Sequence, residues 1–387
     1  MKENAVTISQ SRQRIAIIGG GIFGVSSAVH LARLGAHVTL VTEGAFSSEA
    51  SGRSLAWLNS ARFRSAEYHR LRVIGIDRYR TLASRNEGAS WLRFEGGLTW
   101  DADDPANQIA EAFAHERSIG YDCLLLEPGD VAKVTPGINA AAISPQGAIF
   151  NPGEGWVDLP SLIDILVREL KALGGQVITQ AGKATVDIKG GRATGVSCAN
   201  GMSIESDAVL VATGAAVPAM AKQAGHVIAD GTPIGLLVKS KPFKYAVRAV
   251  LNTPNVALRP TPDGAIVCDS AWSEEELNRS SDGTYEVKQD TLHRLLSEAS
   301  NVLEGNPTLE LESYHCGPKP VPGDGESVIG ALDGIPGYFV AFSHSGATLG
   351  LITGELIARE IANGEMSPLL ERFRPARFAQ ATEALAS

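Results

Sequence analysis

Three glycines near the start of the chain have the spacing of a turn that binds a dinucleotide. Gly19, Gly21 and Gly24 form the pattern G-x-G-x-x-G directly after a short apolar run. In such a turn the first glycine permits a tight bend, the second lets a pyrophosphate reach the backbone, and the third allows a helix to pack closely on a strand. The pyrophosphate then meets the amide groups and the positive dipole at the start of that helix.

An acidic residue completes this pattern. Glu43 follows the next apolar run, residues 37–41, where its carboxylate can accept hydrogen bonds from the ribose hydroxyls of an adenosine. The same carboxylate would repel a 2′-phosphate, so an NADP-type ligand is disfavoured. The residues predicted to hold the dinucleotide are Gly19, Gly21, Ile22, Phe23, Gly24 and Glu43.

The elements that must position these residues form one βαβ unit. Strands are predicted at residues 15–18 and 37–41, with a helix from about residue 25 between them. Residues 91–94 and 97–100 are predicted to form a β-hairpin that opens a second domain. The sequence therefore predicts a mixed α/β (α+β) fold, with a Rossmann-like dinucleotide domain and a second domain built on a mixed sheet.

FAD is the dinucleotide that this order of elements favours. A typical NAD dehydrogenase would continue with further βαβ units, whereas this chain turns to a Ser- and Arg-rich loop and the aromatic hairpin. A flavoprotein that uses NAD(P)H as a separate substrate would often carry a second G-x-G-x-x-G after a strand, and this chain has none. We therefore expect one bound FAD that a small organic molecule reduces directly.

Composition and charge argue against several classes of protein. The 387 residues have a formal net charge of −9 and no Lys/Arg block that would bind nucleic acid. The four cysteines are far apart, which argues against disulfides and favours reduced thiols in the cytoplasm. No apolar run suits a transmembrane segment, and no metal-binding cluster is evident. From Arg53 to Arg80 there are seven arginines and two acids, an excess that can hold an anion or form a solvated helix face.

Several blocks of the sequence resemble the glycine oxidase, sarcosine oxidase and D-amino acid oxidase family of FAD-dependent oxidoreductases. The resemblance spans nearly the whole chain, and its last two blocks are more specific when combined with the glycine turn, which many flavoproteins share. The blocks are residues 17–24 with Glu43, 147–162, 211–215, 317–330 and 337–350.

This resemblance implies how the chain divides into domains. A discontinuous FAD domain would consist of residues 1–90, 145–225 and 318–387. A substrate domain would consist of residues 91–144 and 226–317.

The resemblance also implies which further residues meet the cofactor. The backbone near Ala184 would face the adenine, and residues 51–55 would lie near the flavin. The loop 345–349 would turn amide groups and a helix start toward the flavin pyrimidine and stabilise reduced flavin. The additional cofactor residues are therefore Ser51, Arg53, Ser54, Leu55, Ala184, Thr213, Gly214, Ser345, Gly346, Ala347, Thr348 and Leu349.

The implied activity is removal of a hydride from a C–H bond next to an amine, which gives an imine that hydrolyses. The substrate would be an amino acid, an N-substituted amino acid or another small amine, and either oxygen or another molecule could reoxidise the flavin. Relatives that oxidise amino acids grip the carboxylate with a basic side chain, for which Lys319, Arg53 and Arg259 are the candidates. His344 could orient the substrate or transfer a proton, or it could simply bond to its own loop.

Two alternative functions stay open at this point. One is oxidation of a 2-hydroxy acid, which would need His344 as the base. The other is a flavin-bearing subunit of a larger complex, and the chain could also form an oligomer.

Two positions depart from the family pattern, and a third bears on the attachment of flavin. Lys319 stands where relatives often have arginine, so a point charge replaces a bidentate fork. Thr348 occupies a position where sarcosine-oxidase-like relatives have a lysine. Cys316 precedes Gly317, the position at which some relatives attach flavin, so we expect the flavin to be bound without a covalent link.

Overall fold

The computed structural model describes residues 12–280 and 284–378, so the predicted ends of the FAD domain, residues 1–11 and 379–387, lie outside the described residues. The strands are β1 (Arg14–Ile18), β2 (His37–Val41), β3 (Trp57–Leu58), β4 (Leu92–Arg93), β5 (Gly97–Thr99), β6 (Leu124–Leu126), β7 (Ala148–Asn151), β8 (Gly155–Val157), β9 (Gln176–Ile178), β10 (Ala184–Lys189), β11 (Arg192–Cys198), β12 (Ser203–Glu205), β13 (Ala208–Val211), β14 (Ile234–Ser240), β15 (Val250–Asn252), β16 (Ala257–Pro260), β17 (Ile266–Asp269), β18 (Asn278–Arg279), β19 (Tyr285–Glu286), β20 (Leu311–Pro318), β21 (Val328–Ala331) and β22 (Tyr338–Phe342). The helices are α1 (Ile22–Arg33), α2 (Ala66–Arg85), α3 (Ile109–Ser118), α4 (Val131–Val134), α5 (Leu159–Ala172), α6 (Val217–Gln223), α7 (Ala271–Glu275), α8 (Gln289–Asn301) and α9 (Gly346–Asn363).

A six-stranded sheet is built around β1. Its order is β21-β22-β13-β1-β2-β9, and all neighbours are parallel except β21 and β22. Its strands are continuous apolar runs because both faces are covered. Helices α1, α2, α5 and α9 cover one face, while α6 and the small sheet β10-β11-β12 cover the other. This arrangement confirms the predicted Rossmann-like domain.

Helix α1 packs closely against α9 near the other end of the chain. It begins at Ile22, earlier than predicted, because the glycine turn leads directly into it. A Cβ atom on Gly354 of α9 would overlap the hydroxyl of Ser26 on α1. The two helices therefore approach each other at a distance that only glycine permits at this point.

A second sheet has eight strands, in the order β20-β14-β17-β16-β15-β5-β7-β6. Its neighbours are antiparallel except for β15 and β5, so the sheet is mixed, as predicted. Helix α8 packs on it through Leu292, Leu295 and Leu296, which have helical spacing along one face.

The structure corrects two predicted details. Residues 91–94 and 97–100 do not form a hairpin, because β4 pairs with β8 in a small sheet with β3, while β5 lies in the eight-stranded sheet. The chain changes sheets at Gly96, where φ is +87°. The predicted boundary at residue 145 assigns β7 to the FAD domain, whereas β7 pairs with β5 and β6. Short strands of similar composition fit either sheet, so local sequence could not reveal these partners.

None of the helices in residues 12–280 and 284–378 combines the length and hydropathy that a membrane crossing requires. The same residues contain no cluster of three or more His, Cys, Asp or Glu side chains that could hold a metal ion.

Candidate cofactor and substrate site

The glycine turn closes the carboxyl end of β1. Gly19 has a φ of +129°, and a Cβ atom there would overlap the carbonyl oxygen of Ala212, which follows β13. Ala212 N donates to Ile18 O at 2.8 Å, which draws the ends of β13 and β1 together. A Cβ atom on Gly24 would overlap the carbonyl oxygen of Gly19. The spacing of the glycines is therefore a packing requirement of this turn.

The first turn of α1 presents backbone amides at the carboxyl end of β1. Gly21 is the N-cap residue and has no side chain to cap the helix, and the first turn contains no acidic residue. The amide of Ile22 donates to Ser51 Oγ at 3.1 Å, so the predicted Ser51 lies at the helix start. Ile22 and Phe23 have buried side chains, which leaves their backbone as the part that can meet a ligand. A helix start of this kind attracts an anion.

Glu43 and the segment that leads to Ala184 lie at the end of β2, next to the glycine turn. Glu43 is exposed just after β2, and its carboxylate has no hydrogen-bond partner among the described residues. The amide of Gly182 donates to Glu43 O at 3.1 Å, which brings the segment that leads to Ala184 beside it. β1 has β2 on one side and β13 on the other, and α/β sheets bind ligands in the crevice at such a switch point.

The predicted residues Thr213 and Gly214 flank the same turn. A Cβ atom on Gly19 would lie 3.2 Å from the amide nitrogen of Thr213. Gly214 has a φ of +58°, which begins the turn after β13. The two residues therefore border the crevice opposite Glu43.

The predicted flavin loop, residues 345–349, is held next to the start of α1. A Cβ atom on Gly346 would lie 3.8 Å from Ile22 Cγ2. Tyr79 OH donates to Ala347 O at 2.6 Å, and the buried Leu349 packs in the core beneath. The starts of α1 and α9 therefore lie side by side.

Side chains of this loop are occupied by the protein itself. Thr348 Oγ1 donates to Trp57 O at 3.1 Å and accepts from Asn59 N at 3.3 Å. Ser345 Oγ accepts from Tyr68 OH at 2.6 Å and from the guanidinium of Arg72. The loop can therefore offer a ligand its backbone amides and the dipole of α9, rather than these hydroxyls.

His344 precedes this loop and is solvent-accessible. Its ring makes no hydrogen bond within the described residues, in contrast to the expectation that it could bond to its own loop. Desolvation by the protein beside the ring and the charges of Lys319, Arg72 and Arg64 lower the pKa of the imidazole, and the solvent that reaches the exposed ring moderates this shift. The ring is therefore neutral at pH 7.

Lys319, predicted to grip a carboxylate, already has acidic partners. Its ammonium group forms an ion pair with Glu274 and lies 4.0 Å from Asp269 Oδ2. Burial and the Glu274 charge raise the pKa of Asp269 to about 6, against the opposing effect of Lys319. The positive charge of Lys319 is therefore shared between two carboxyl groups.

Arg53 is engaged with backbone oxygens and one acid. It donates to Cys316 O at 2.7 Å and to Ser48 O at 2.6 Å, and it pairs with Glu49 at 2.9 Å. A Cβ atom on Gly317 would overlap the Arg53 guanidinium, so the glycine makes room for it.

Arg259 is buried between the eight-stranded sheet and the segment that leads into β3. Its guanidinium donates to Leu55 O and Pro260 O, lies 3.7 Å from Asp158 Oδ1, and stacks over Trp156. Burial lowers its pKa to about 10. Arg259 therefore joins the eight-stranded sheet to the segment before β3, where Ser54 Oγ accepts from Ala56 N at 2.9 Å.

Cys316 and Gly317 face opposite sides of β20, because side chains alternate along a strand. Cys316 packs against the core of the eight-stranded sheet, while Gly317 faces Arg53. Burial raises the pKa of the Cys316 thiol. The thiol therefore lies on the face away from Arg53.

A buried polar network behind the flavin loop was not predicted. Arg72 donates to Asn59 O at 2.8 Å and to Asn59 Oδ1 at 2.7 Å, as well as to Ser345. Nearby, Glu154 accepts from Tyr121 OH at 2.5 Å, and burial raises the pKa of Glu154 to about 8. The local excess of arginine was a signal for Arg72, but sequence alone could not pair it with a loop near residue 345.

Comparison with known proteins agrees with this geometry. Residues 14–360 match the family described as DAO, FAD dependent oxidoreductase. The chain belongs to this family. It is therefore an FAD-dependent oxidoreductase, and the glycine turn, the accessible Glu43 and the start of α1 fit the adenosine and pyrophosphate parts of FAD.

Individual DAO relatives are similar over most of their length. The glycine oxidase of Geobacillus kaustophilus (strain HTA426) is 24% identical over 362 residues, which cover 90% of this chain and 92% of that protein. The crystal structure of glycine oxidase from Geobacillus kaustophilus has a TM-score of 0.78 and 20% identity, and covers 94% of this chain and 99% of its own. An L-amino acid deaminase from Proteus myxofaciens has a TM-score of 0.81 at 17% identity, and covers 95% and 94% of the two chains.

Proposed function

We propose that this chain oxidises the C–N bond of an amino acid or N-substituted amino acid to an imine. The observation that carries this proposal is the set of basic side chains beside the predicted flavin loop: Arg72 donates to Ser345 Oγ, and Arg64, Arg72 and Lys319 lie near enough to His344 to lower its pKa. A substrate with a carboxylate suits such surroundings. Glycine oxidase and L-amino acid deaminase, to which the chain is similar, are named for amino acid substrates.

We propose the following roles for the chain's own residues. The backbone of Gly19, Gly21 and Gly24 would hold the pyrophosphate, Glu43 the ribose, and the 345–349 amides the flavin. Bound FAD supplies the acceptor for the hydride that leaves the substrate carbon. His344, neutral at pH 7, would accept a hydrogen bond from the substrate amine and orient it.

A 2-hydroxy acid substrate is less well supported. It would need a base to remove the hydroxyl proton, and the lowered pKa of the His344 imidazole makes the ring a weaker base. His344→Asn should therefore slow flavin reduction by an amino acid less than tenfold, whereas reduction by a 2-hydroxy acid that is abolished in this variant would favour a histidine base.

Paired substrates test the proposed reaction. The FAD-loaded protein is mixed without oxygen with glycine, sarcosine, alanine and proline, and separately with glycolate and lactate. We expect an amine to bleach the flavin absorbance near 450 nm and the imine to hydrolyse to a 2-oxo acid. Bleaching by hydroxy acids alone, or by no compound, would contradict the proposal.

The same assay addresses the electron acceptor and the partners. Reoxidation by air would indicate an oxidase, and reoxidation by a dye alone a dehydrogenase. Failure to turn over with any acceptor would favour a flavin-bearing subunit of a complex. We also propose a cytoplasmic location, because Cys123, Cys198, Cys268 and Cys316 are free thiols.

A further inference from the structure

Arg64 differs from the three cations that were predicted to grip a carboxylate in having no acidic partner. Lys319 pairs with Glu274, Arg53 with Glu49, and Arg259 lies near Asp158. Within the described residues no carboxylate oxygen lies within 4.0 Å of the Arg64 guanidinium. The positive charge of Arg64 is therefore the one among these four without a counter-ion.

The Arg64 guanidinium is also short of hydrogen-bond acceptors. Its one side-chain hydrogen bond in the described residues runs from Nη1 to Phe63 O at 3.3 Å. Its Nε is enclosed and has no partner. Burial and the nearby charge of Arg72 lower its pKa to about 10. A desolvated guanidinium with free donors is costly on its own and is stabilised by an anion.

The backbone around Arg64 is fixed on both sides. The Arg64 amide donates to His115 Nε2 at 3.4 Å, and the amide of Arg62 donates to Glu116 Oε1 at 2.7 Å. Ser65 Oγ donates to Glu326 Oε1 at 2.7 Å, and Ser65 caps α2. A rigid support of this kind is what a positioned binding group needs.

Arg64 also lies close to the predicted flavin loop. Its charge acts on His344, which immediately precedes the loop. Tyr68 and Arg72, on the first two turns of the helix that Arg64 precedes, both bond to Ser345. An anion held by Arg64 would therefore lie near His344 and the start of the predicted flavin loop.

We propose that Arg64 binds the carboxylate of the substrate, in place of Lys319, Arg53 and Arg259. This assignment rests on the proposed function, because it takes an amino acid as the ligand. A guanidinium can form two parallel hydrogen bonds to one carboxylate, which fixes the orientation of the substrate. Arg64 is then a specificity-determining residue that selects acids over neutral amines.

Binding of benzoate and of its neutral analogue benzamide tests this assignment without turnover. Binding is followed by perturbation of the flavin spectrum in the FAD-loaded wild type, Arg64→Met, Arg64→Lys and the control Arg70→Met. Arg70 is exposed on α2 and has no ion pair in the part of the chain described. We expect Arg64→Met to weaken benzoate binding at least tenfold, Arg64→Lys less so, and Arg70→Met to have no effect.

Several results would overturn the assignment. Unchanged benzoate binding in Arg64→Met would do so, as would a wild type that does not prefer benzoate to benzamide. Loss of FAD from Arg64→Met and Arg64→Lys would assign Arg64 to the cofactor instead. We expect Arg64→Met apoprotein to melt no lower than wild type, because the variant removes an uncompensated charge; a marked loss of stability would indicate a structural role.

The two proposals fail in different ways. If wild type binds benzoate through Arg64 but no amino acid reduces its flavin, the proposed function fails and the anion site stands. If amino acids reduce wild type and Arg64→Met with the same concentration dependence, the anion site fails and the proposed function stands.

Discussion

The glycine-turn end of the site and the His344 end are built in different ways. At the first, Gly19, Gly21 and Gly24 leave only backbone, and side chains are kept out by close packing. At the second, side chains from distant segments meet, as where Tyr68 and Arg72 of α2 both donate to the hydroxyl of Ser345. A site made of backbone can be predicted from a short motif, because the residues of the motif are the same residues that form the site. A site made of side chains depends on which distant residues the fold brings together.

The largest expected effect on flavin binding comes from breaking the backbone end. Gly19→Ala places a Cβ against the Ala212 carbonyl oxygen at a positive φ. Forming the native turn should then cost about 3 kcal/mol more free energy, which should lower the affinity for FAD about 100-fold. FAD titration of the apoprotein measures the affinity. Gly35→Ala is the matched control, since its φ is also positive, +89°, but nothing lies within 4 Å. Equal flavin binding by both variants would contradict the packing role of Gly19.

The next effect concerns the buried acid behind the side-chain end. Folding raises the pKa of Glu154 to about 8, so the native state holds this proton more tightly than the unfolded state. Wild-type stability should therefore fall as the pH rises from about 4.5 to 8, by up to about 1.4 kcal/mol per pH unit from this group. Glu154→Gln should flatten the dependence of Tm on pH. The exposed Glu95→Gln should not, and identical profiles for wild type and Glu154→Gln would refute the shift.

A smaller effect should come from changing the charge balance near His344. Glu274→Gln removes one of the two acids that share Lys319, which should strengthen benzoate binding about fivefold, as expected for roughly 1 kcal/mol of charge interaction. Spectral titration of the flavin measures this, with the exposed Glu275→Gln as the control. Weaker binding in Glu274→Gln would indicate that Glu274 positions the site rather than neutralising it.

The last substitution is expected to leave flavin binding unchanged. Cys316→Ser should bind FAD as wild type does, because the Cys316 thiol packs against the core of the eight-stranded sheet. Acid precipitation should release all flavin into the supernatant from both proteins. Flavin that stays in the wild-type pellet and leaves the Cys316→Ser pellet would instead establish a covalent link at this residue.

The sequence predicted those parts of the fold whose signals are local. The strand before Gly19, the helix after it and the acid at Glu43 follow one another within a single βαβ unit, so their periodicity and spacing suffice. The pairing of β4 with β8 and of Lys319 with Glu274 joins residues far apart in sequence. Such partners are chosen by the packing of the whole chain, which a local pattern does not contain.

The close packing of α9 on α1 also has a consequence for synthesis of the protein. α1 is translated long before α9, the helix that covers it at Gly354. β1 likewise waits for β13, and β13 for β22, before the central sheet is complete. A nascent chain that stops before residue 338 lacks both β22 and α9 and keeps apolar surface of α1 uncovered, as is typical of aggregation-prone intermediates. Assembly of the flavin pocket therefore waits for the synthesis of β22 and α9.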